Sequence, residues 1–328
     1  MNEAEILAAM DGMTPALQRA YLDQIRATVD AATIVEVERL IAQQDDQGLV
    51  AALALGVFAA LLEAIRTTYI KGGTLVVIKM PGGRRVQFDQ HAPAAQQWLT
   101  QNAADLTATI AREQAEAIRV TTAAGRAASR TPRHIALDVV GRLNSRTGLR
   151  EGGVLGLSAP EAQAIASTRD QLSSGVAERM RQYLARADRD KRLDGIVERA
   201  IQLQKPVAAP DVQKIATAYA DRKVKAHALL VAKAQAHEAL NAGFNRLHAQ
   251  LLEGPVRPLS VEKIWRNKGD LRVRHAHVTL GGIRVGFNQP FQSPTGARLN
   301  YPGDKTLGAS WADLANCRCT VSYRVTWR

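Results

Sequence analysis

Between Asp211 and Leu252 apolar residues recur at helical spacing with no proline, and the pattern stops at Gly254-Pro255. Proline has no backbone N–H and its ring collides with the preceding turn, so a helix ends there. Beyond Pro255 the apolar period changes from helical to that of short strands and turns. "LRVRHAHVTL" (271–280) alternates polar or basic with apolar residues at period two, which predicts a strand. It turns at Gly281-Gly282 into "IRVGF" (283–287) as its hairpin partner, and "CRCTVSYRVTW" closes the chain as a β-branched, aromatic strand. The break therefore separates a helical body from a small α+β tail whose sheet is expected to rest on the long helix.

Composition changes at the same point. Of the formal net charge of +12, residues 254–328 carry +8, from twelve Lys/Arg against four acids, and they hold seven of the fifteen aromatics. Such a concentrated positive field attracts polyanions or acidic protein surfaces, although a solvated basic face with no dedicated partner has the same composition. Arg266, Lys268, Arg272, Arg274, Arg284, Arg298, Arg318 and Arg324 are the candidate nucleic-acid contacts.

The rest of the chain reads as helical with one insertion. Thr14-Pro15 looks like an N-cap and first helical position, followed by Leu17, Tyr21, Ile25 and Val29. Gly48 to about Tyr69 reads as one helix, apolar nearly all round and interior to a bundle. Leu75–Lys79 and Arg84–Phe88 flank Met80-Pro81-Gly82-Gly83 and predict a hairpin. From Pro93 onward helices are broken at Thr131-Pro132, Gly148–Gly153, Ser158–Pro160 and Pro206–Pro210, with Ser158 and Glu161 marking a helix start. Arg179–Arg199 reads as a helix pair with a salt-bridged, solvated face. The expected architecture is mostly α: N-terminal helices (1–71), a β-hairpin (72–91), a helical region ending in the long helix (92–253), and a basic α+β C-terminal domain (254–328).

The longest apolar run, Leu49–Leu62, is shorter than the ~18–20 residues of a membrane span, so no membrane partner is expected. The start MNEAEILAAMDGM lacks the basic and apolar regions of a secretory signal. The cysteines are then expected to stay reduced. No GxSxG, P-loop, GxGxxG after a strand or HExxH is present, and no catalytic residue or organic cofactor is assigned.

The only two cysteines, Cys317 and Cys319, sit two apart. On a strand they would face one side, as would His275 and His277 on theirs. Two imidazoles and two thiolates on neighbouring strands are the ligand set of a tetrahedral zinc site, and zinc would stabilise a small domain. The plainer reading is a packed cluster, since cysteines are often small buried hydrophobes. A third reading groups His275, His277, Asp270 and Arg318 as an acid–base cluster with a cationic stabiliser, as in a metal-independent nuclease or a transferase.

Taken in order, "GDLRVRHAHVTLGG", "PFQSPTGARLNYPGD" and "NCRCTVSY" resemble the C-terminal domain of phage head morphogenesis proteins, the Mu protein F-like minor head proteins. The elements are Asp270, Arg272, Arg274 and His277; Gly282; Phe291, Pro294 and Gly296; Tyr301, Pro302, Gly303 and Asp304; and Asn316, Cys317, Arg318 and Cys319. Upstream helices extend the likeness to roughly Gly152–Arg328. The chain departs from the family at Val231–Gln235, where relatives often carry Ile-Ala-Arg-Thr-Glu. It departs again at Gly281, where the family's turn has Asp, and at Arg274 and His277, where some relatives have CxxC. Loss of such polar groups fits a structural domain better than a hydrolase. The resemblance implies a non-enzymatic minor capsid protein, present in few copies in the virion head and in the host cytoplasm during assembly. Its implied partners are the portal and the major capsid or scaffolding proteins, with packaged DNA in reach during packaging or ejection.

Overall fold

The computed structural model describes residues 3–327 apart from 54 and 57, with Glu3 by its backbone alone. It is a mostly α chain with small antiparallel sheets. In order, the first elements are α1 (Glu3–Ala31), α2 (Ile34–Ala42), α3 (Asp46–Ala52), α4 (Ala59–Gly73), β1 (Ile78–Lys79) and β2 (Arg85–Val86). Then come α5 (Pro93–Ala127), α6 (Pro132–Val140), β3 (Arg142–Leu143), β4 (Arg150–Glu151), α7 (Ala159–Ser173), α8 (Ala177–Leu184), α9 (Asp194–Gln202) and α10 (Ala209–Glu253). The tail holds β5 (Ser260–Arg266), α11 (His275–Val278), β6 (Arg284–Gly286), β7 (Phe291–Gln292), β8 (Arg298–Leu299), α12 (Trp311–Leu314) and β9 (Thr320–Thr326).

Contacts divide the chain into two compact units, and none of the four boundaries between them falls at Gly254. The first joins Met1–Tyr21, Ala59–Ala104 and Leu229–Arg328; the second joins Leu22–Phe58 and Asp105–Ala228. The tail thus shares a unit with the last part of α10, with α4 and with the β1–β2 hairpin.

Three local expectations change. Helix α1 begins at Glu3 and carries Pro15 inside it. Thr14 is buried and its hydroxyl donates backward to the Met10 carbonyl at 3.0 Å, the bond of a mid-helix threonine rather than of an N-cap. The apolar stretch Gly48–Tyr69 is two helices. Asp45 caps α3 by accepting from the Gly48 amide at 2.7 Å, and α4 starts afresh at Ala59. The run read as one buried rod therefore supplies two cores: Leu49, Leu53 and Phe58 lie in the second unit, Leu61, Ile65 and Tyr69 in the first. The hairpin forms, but its strands contract to two residues each around Pro81–Gly83. It packs on its own unit, with Phe88 edge-on to Tyr69 and the Gln250 amide bonded both ways to the Asp89 backbone.

In the first unit α4 and α10 cross at glycines. A Cβ on Gly243 would stand 1.9 Å from the Tyr69 carbonyl oxygen, and one on Gly72 would stand 2.1 Å from that of Leu240. Only hydrogen fits at both positions. The Tyr69 ring beside this crossing stacks on Trp98 at 4.4 Å.

In the second unit, α7 opens as its sequence predicts. The Glu161 carboxylate accepts from the Ser158 amide (3.0 Å) and hydroxyl (2.8 Å) and pairs with His227 at 2.7 Å. Burial works against the Glu161 charge, but His227 and the two Ser158 hydrogen bonds together outweigh it and hold the carboxyl below its ordinary range. Thr131 caps α6, and its Asp138 takes salt bridges from Arg130 (2.8 Å), Arg142 (3.1 Å) and Arg169 (2.9 Å).

The tail is built on a three-stranded antiparallel sheet in the order β6-β5-β9. Strand β5, "SVEKIWR", is its centre, so the partner of "IRVGF" is β5 and not residues 271–280. In register, Lys263 lies between Val285 and Tyr323, and Ile264 between Arg284 and Ser322. Val261, Lys263 and Trp265 point inward and are buried. As expected, the sheet lies on the long helix: Tyr323 stacks on His248 at 3.8 Å, meets Phe244 edge-on, and donates its hydroxyl to Asn245 at 2.8 Å.

Candidate metal centre

Residues 271–280 are not a strand. Asp270 accepts from the Arg272 amide at 3.0 Å and its carbonyl accepts from the Val273 amide, which turns the chain. The single turn α11 follows, closed by the Asn267 side-chain amide donating to the carbonyls of His277 and Val278. Residues two apart on a helical turn lie ~200° apart around the axis, so the two histidines face opposite ways. His277 is buried and His275 is exposed. The expected pairing of His275 with His277 in one site is thereby undone, and the period-two alternation is coincidental: Leu271 and Val278 are exposed.

The cysteines lie just before β9. Asn316 adopts a positive φ of 53°, after which the backbone alternates. Cys317 and Cys319 turn inward and are buried, while Arg318 turns outward and forms a two-point salt bridge to Asp270, with Nη1 2.8 Å from Oδ2. His277 Nδ1 stands 3.5 Å from Cys317 Sγ and 3.7 Å from Cys319 Sγ. Sγ, Sγ and an imidazole nitrogen all fall within 4.8 Å of one another. Both thiols are free.

The other ring nitrogen, His277 Nε2, is buried with no hydrogen-bond partner and is 3.9 Å from Oδ1 of Asp313. That carboxylate, on α12, is itself held by the hydroxyls of Thr295 and Ser310, each at 2.9 Å. On the far side stands His237 of α10. Its Nε2 donates to the Cys319 carbonyl oxygen at 2.7 Å. Its Nδ1 lies against Gly303, where a Cβ would come within 2.6 Å, so the glycine of Tyr-Pro-Gly-Asp is what admits the ring.

Electrostatics follow from these contacts. The Cys319 thiol, hydrogen-bonded to Cys317, and the His237 imidazole beside it hold Cys317 well below the ordinary thiol range; Cys319 is pushed up in turn by the same bond and by burial. Burial opposes charge on His237, but Cys317, the Cys319 carbonyl and Glu238 together outweigh it and raise the histidine. Next along the helix, burial lifts Glu238 to about 7, with the Lys305 ammonium 3.4 Å away opposing the shift.

No protein-family profile, curated protein or solved structure matches this chain. Its chemistry is therefore read from the residues themselves.

The residues of the resemblance are engaged with one another. Asp304 is fully buried and accepts from the Asn300 amide, the Thr306 amide and the Thr306 hydroxyl at 2.6–2.8 Å. Tyr301 and Phe291 are buried, and Phe291 lies edge-on to Trp265, which also meets His277. Arg274 donates to the Asp313 carbonyl at 3.2 Å. The grouping of His275, His277, Asp270 and Arg318 as an acid–base cluster is not assembled: Asp270 and Arg318 bind each other, and His275 is on the surface. Of the basic candidates, Arg266, Lys268, Arg272, Arg284, Arg298 and Arg324 are exposed, whereas Arg274 and Arg318 make internal bonds.

Sequence reading missed His237 and Asp313. His237 is 40 residues from His277 and sits mid-helix, where its spacing resembles that of His227 and His248, so no local signal marks it.

Proposed function

We propose that this chain is a Mu protein F-like minor head protein, a low-copy component of the capsid interior near the portal that acts in head assembly and in DNA packaging or ejection. The observation that carries this reading is the way its motif residues are used. Asp270 with Arg318, His277 with Cys317 and Cys319, Gly303 with His237, and Asp304 within its own turn all hold the tail together on α10. A motif consumed in this way is a folding signature, and its output is a surface for docking rather than a reaction. The partners of that surface are the portal and the major capsid or scaffolding proteins, reached in the host cytoplasm during assembly and retained in the virion head. No helix among the described residues is long and apolar enough to cross a membrane.

The test is mass spectrometry of purified proheads and mature heads. The chain is expected at a few copies per head in both, and heads formed without it are expected to be misassembled or empty. Its absence from proheads and heads would refute the proposal.

A second reading, contact with packaged DNA, is favoured by one feature. The outer face of the β6-β5-β9 sheet carries Arg266, Arg284 and Arg324 on its three strands, with Glu262 as the one acid among them. If that face meets phosphates, binding of duplex DNA falls steeply with salt, and the log–log slope shrinks when the three arginines are replaced by glutamine.

A further inference from the structure

We propose that Cys317, Cys319 and His277 bind a zinc ion through their two sulfurs and Nδ1, so that the metal ties the start of β9 to the α11 turn. The inference is independent of any role in a phage head.

The first argument is geometric. Zinc–sulfur and zinc–nitrogen bonds of about 2.3 and 2.05 Å at the tetrahedral angle place sulfur and nitrogen about 3.6 Å apart. The two separations here are 3.5 and 3.7 Å. The second is an accounting of hydrogen bonds. An imidazole Nδ1 has one lone pair or one proton, and so satisfies a single partner. Two sulfurs converge on this one in a buried site, and a cation among the three satisfies all of them at once.

The third concerns the opposite edge of the ring. Metal on Nδ1 fixes the proton on Nε2, which is the buried nitrogen that otherwise has no partner. That N–H then points toward the Asp313 carboxylate, itself held by two hydroxyls. A carboxylate behind a ligand histidine is the usual outer-shell support of zinc. The fourth argument concerns the metal and its support. Nε2 of His237 donates to the Cys319 carbonyl and its Nδ1 packs on Gly303, so this ring positions the cysteine segment on α10 rather than ligating. Two thiolates and an imidazole suit borderline-soft zinc better than a hard cation.

The probes are zinc and cobalt(II) themselves, added to the full chain purified under reducing conditions. One equivalent of zinc per chain is expected, with a cobalt-substituted form showing a thiolate-to-metal absorption band. Both cysteines should resist a thiol reagent until a strong chelator is added, and two thiols should then react; this arm uses the unmodified chain and does not depend on a variant folding. Cys317→Ser, Cys319→Ser and His277→Gln should each lose the metal. His237→Gln and Asp313→Asn should weaken it about 10–100-fold, and exposed His275→Gln should leave it unchanged. Less than 0.1 equivalent of zinc after saturation and dialysis, thiols that react equally with and without chelator, or full metal content in Cys317→Ser would each overturn the site. Heads that contain a zinc-free chain would overturn the metal and leave the head assignment standing; a zinc-loaded chain missing from heads would do the reverse.

Discussion

One buried polar cluster in each unit shows the contrast, and the two are unbalanced in opposite directions. In the second unit a single carboxylate, Asp138, faces three guanidinium groups, and Arg130 Nε and Arg142 Nη2 are left as donors without acceptors. In the first, two thiols converge on one imidazole nitrogen, with a second imidazole beside them. The nearby arginines turn to Asp270 and to a backbone carbonyl instead. What separates the two is access. The arginine side chains keep between 11% and 25% of their surface, and Arg130, Asp138 and Arg169 line a cavity of about 550 Å³. Cys319 and His277 keep 1%. A surplus of cationic donors is offset by the charge of Asp138, whereas two sulfurs and an imidazole nitrogen converging in a buried site suit a cation. The same rule of buried polar satisfaction gives an ion-pair hub in one place and a metal centre in the other.

The largest effect that would sharpen this contrast is at Asp138. Removing the one anion leaves three partly buried guanidiniums repelling each other, and Arg169 is already pulled down to about 10 by burial, against the pull of Asp138. Asp138→Ala should reduce amide-exchange protection in α6 and α7 by about 3–5 kcal/mol, the usual cost of breaking a buried pair from one side. A loss below about 1 kcal/mol would mean that solvent already neutralises the hub, and the contrast between the units would collapse.

A smaller effect separates two histidines on the same helix. His237 and His248 are equally buried in α10, but the first bonds the Cys319 carbonyl and the second stacks on Tyr323 and bonds the Phe244 carbonyl. Burial lowers His248 to about 4. Its folded value lies below its unfolded value near 6.5, so the unfolded chain takes the proton first. The contribution is complete above pH 6.5 and is lost as pH falls toward 4, at ~1.4 kcal/mol per unit. His248→Phe keeps the stack and removes the titration. Urea denaturation at pH 7 and pH 4.5 should show the wild type losing about 2–3 kcal/mol more than the variant. Equal losses would show that His248 is solvated when the chain is folded.

These contrasts also explain what could be read without a structure. The stop at Gly254-Pro255, the Ser158–Glu161 start and the hairpin around Pro81–Gly83 are written in local chemistry, and each forms where its residues are. Cys317 and Cys319 were legible as a pair because the backbone alternates around Arg318, which places both inward. His275 was misassigned because period-two spacing has opposite meanings on a strand and on a helical turn, and the Asp270 turn decides which applies. His237 was invisible for a different reason. Its role depends on α10 passing beneath β9 and on Gly303 leaving room for a ring, and both are long-range facts. The division of Leu49–Leu62 between two cores is likewise a property of the packing, not of the run.

The smallest effect concerns Lys263, a cation that lies in the thiol-bearing unit but does not serve its cluster. It is fully buried at the centre of β5, its ammonium has no hydrogen-bond partner, and it rests 5.7 and 5.6 Å from the ring centres of Phe287 and Phe291. Burial lowers it to about 8, and the charge of Asp304 opposes that shift. The folded value is below the unfolded value near 10.5, so its burial costs stability below pH 8, and stability is recovered as pH rises from 8 to 10.5. Lys263→Met keeps the length and the ring contacts and removes the charge. At pH 7 the variant should be more stable than the wild type by about 1–2 kcal/mol, since an apolar replacement for an unpaired buried charge is commonly favourable. At pH 10 the gap should narrow. A variant less stable at pH 7 would mean that the attraction between Lys263 and Asp304 outweighs the desolvation of both, and that this interior, like the arginine hub, supplies its own counter-charge.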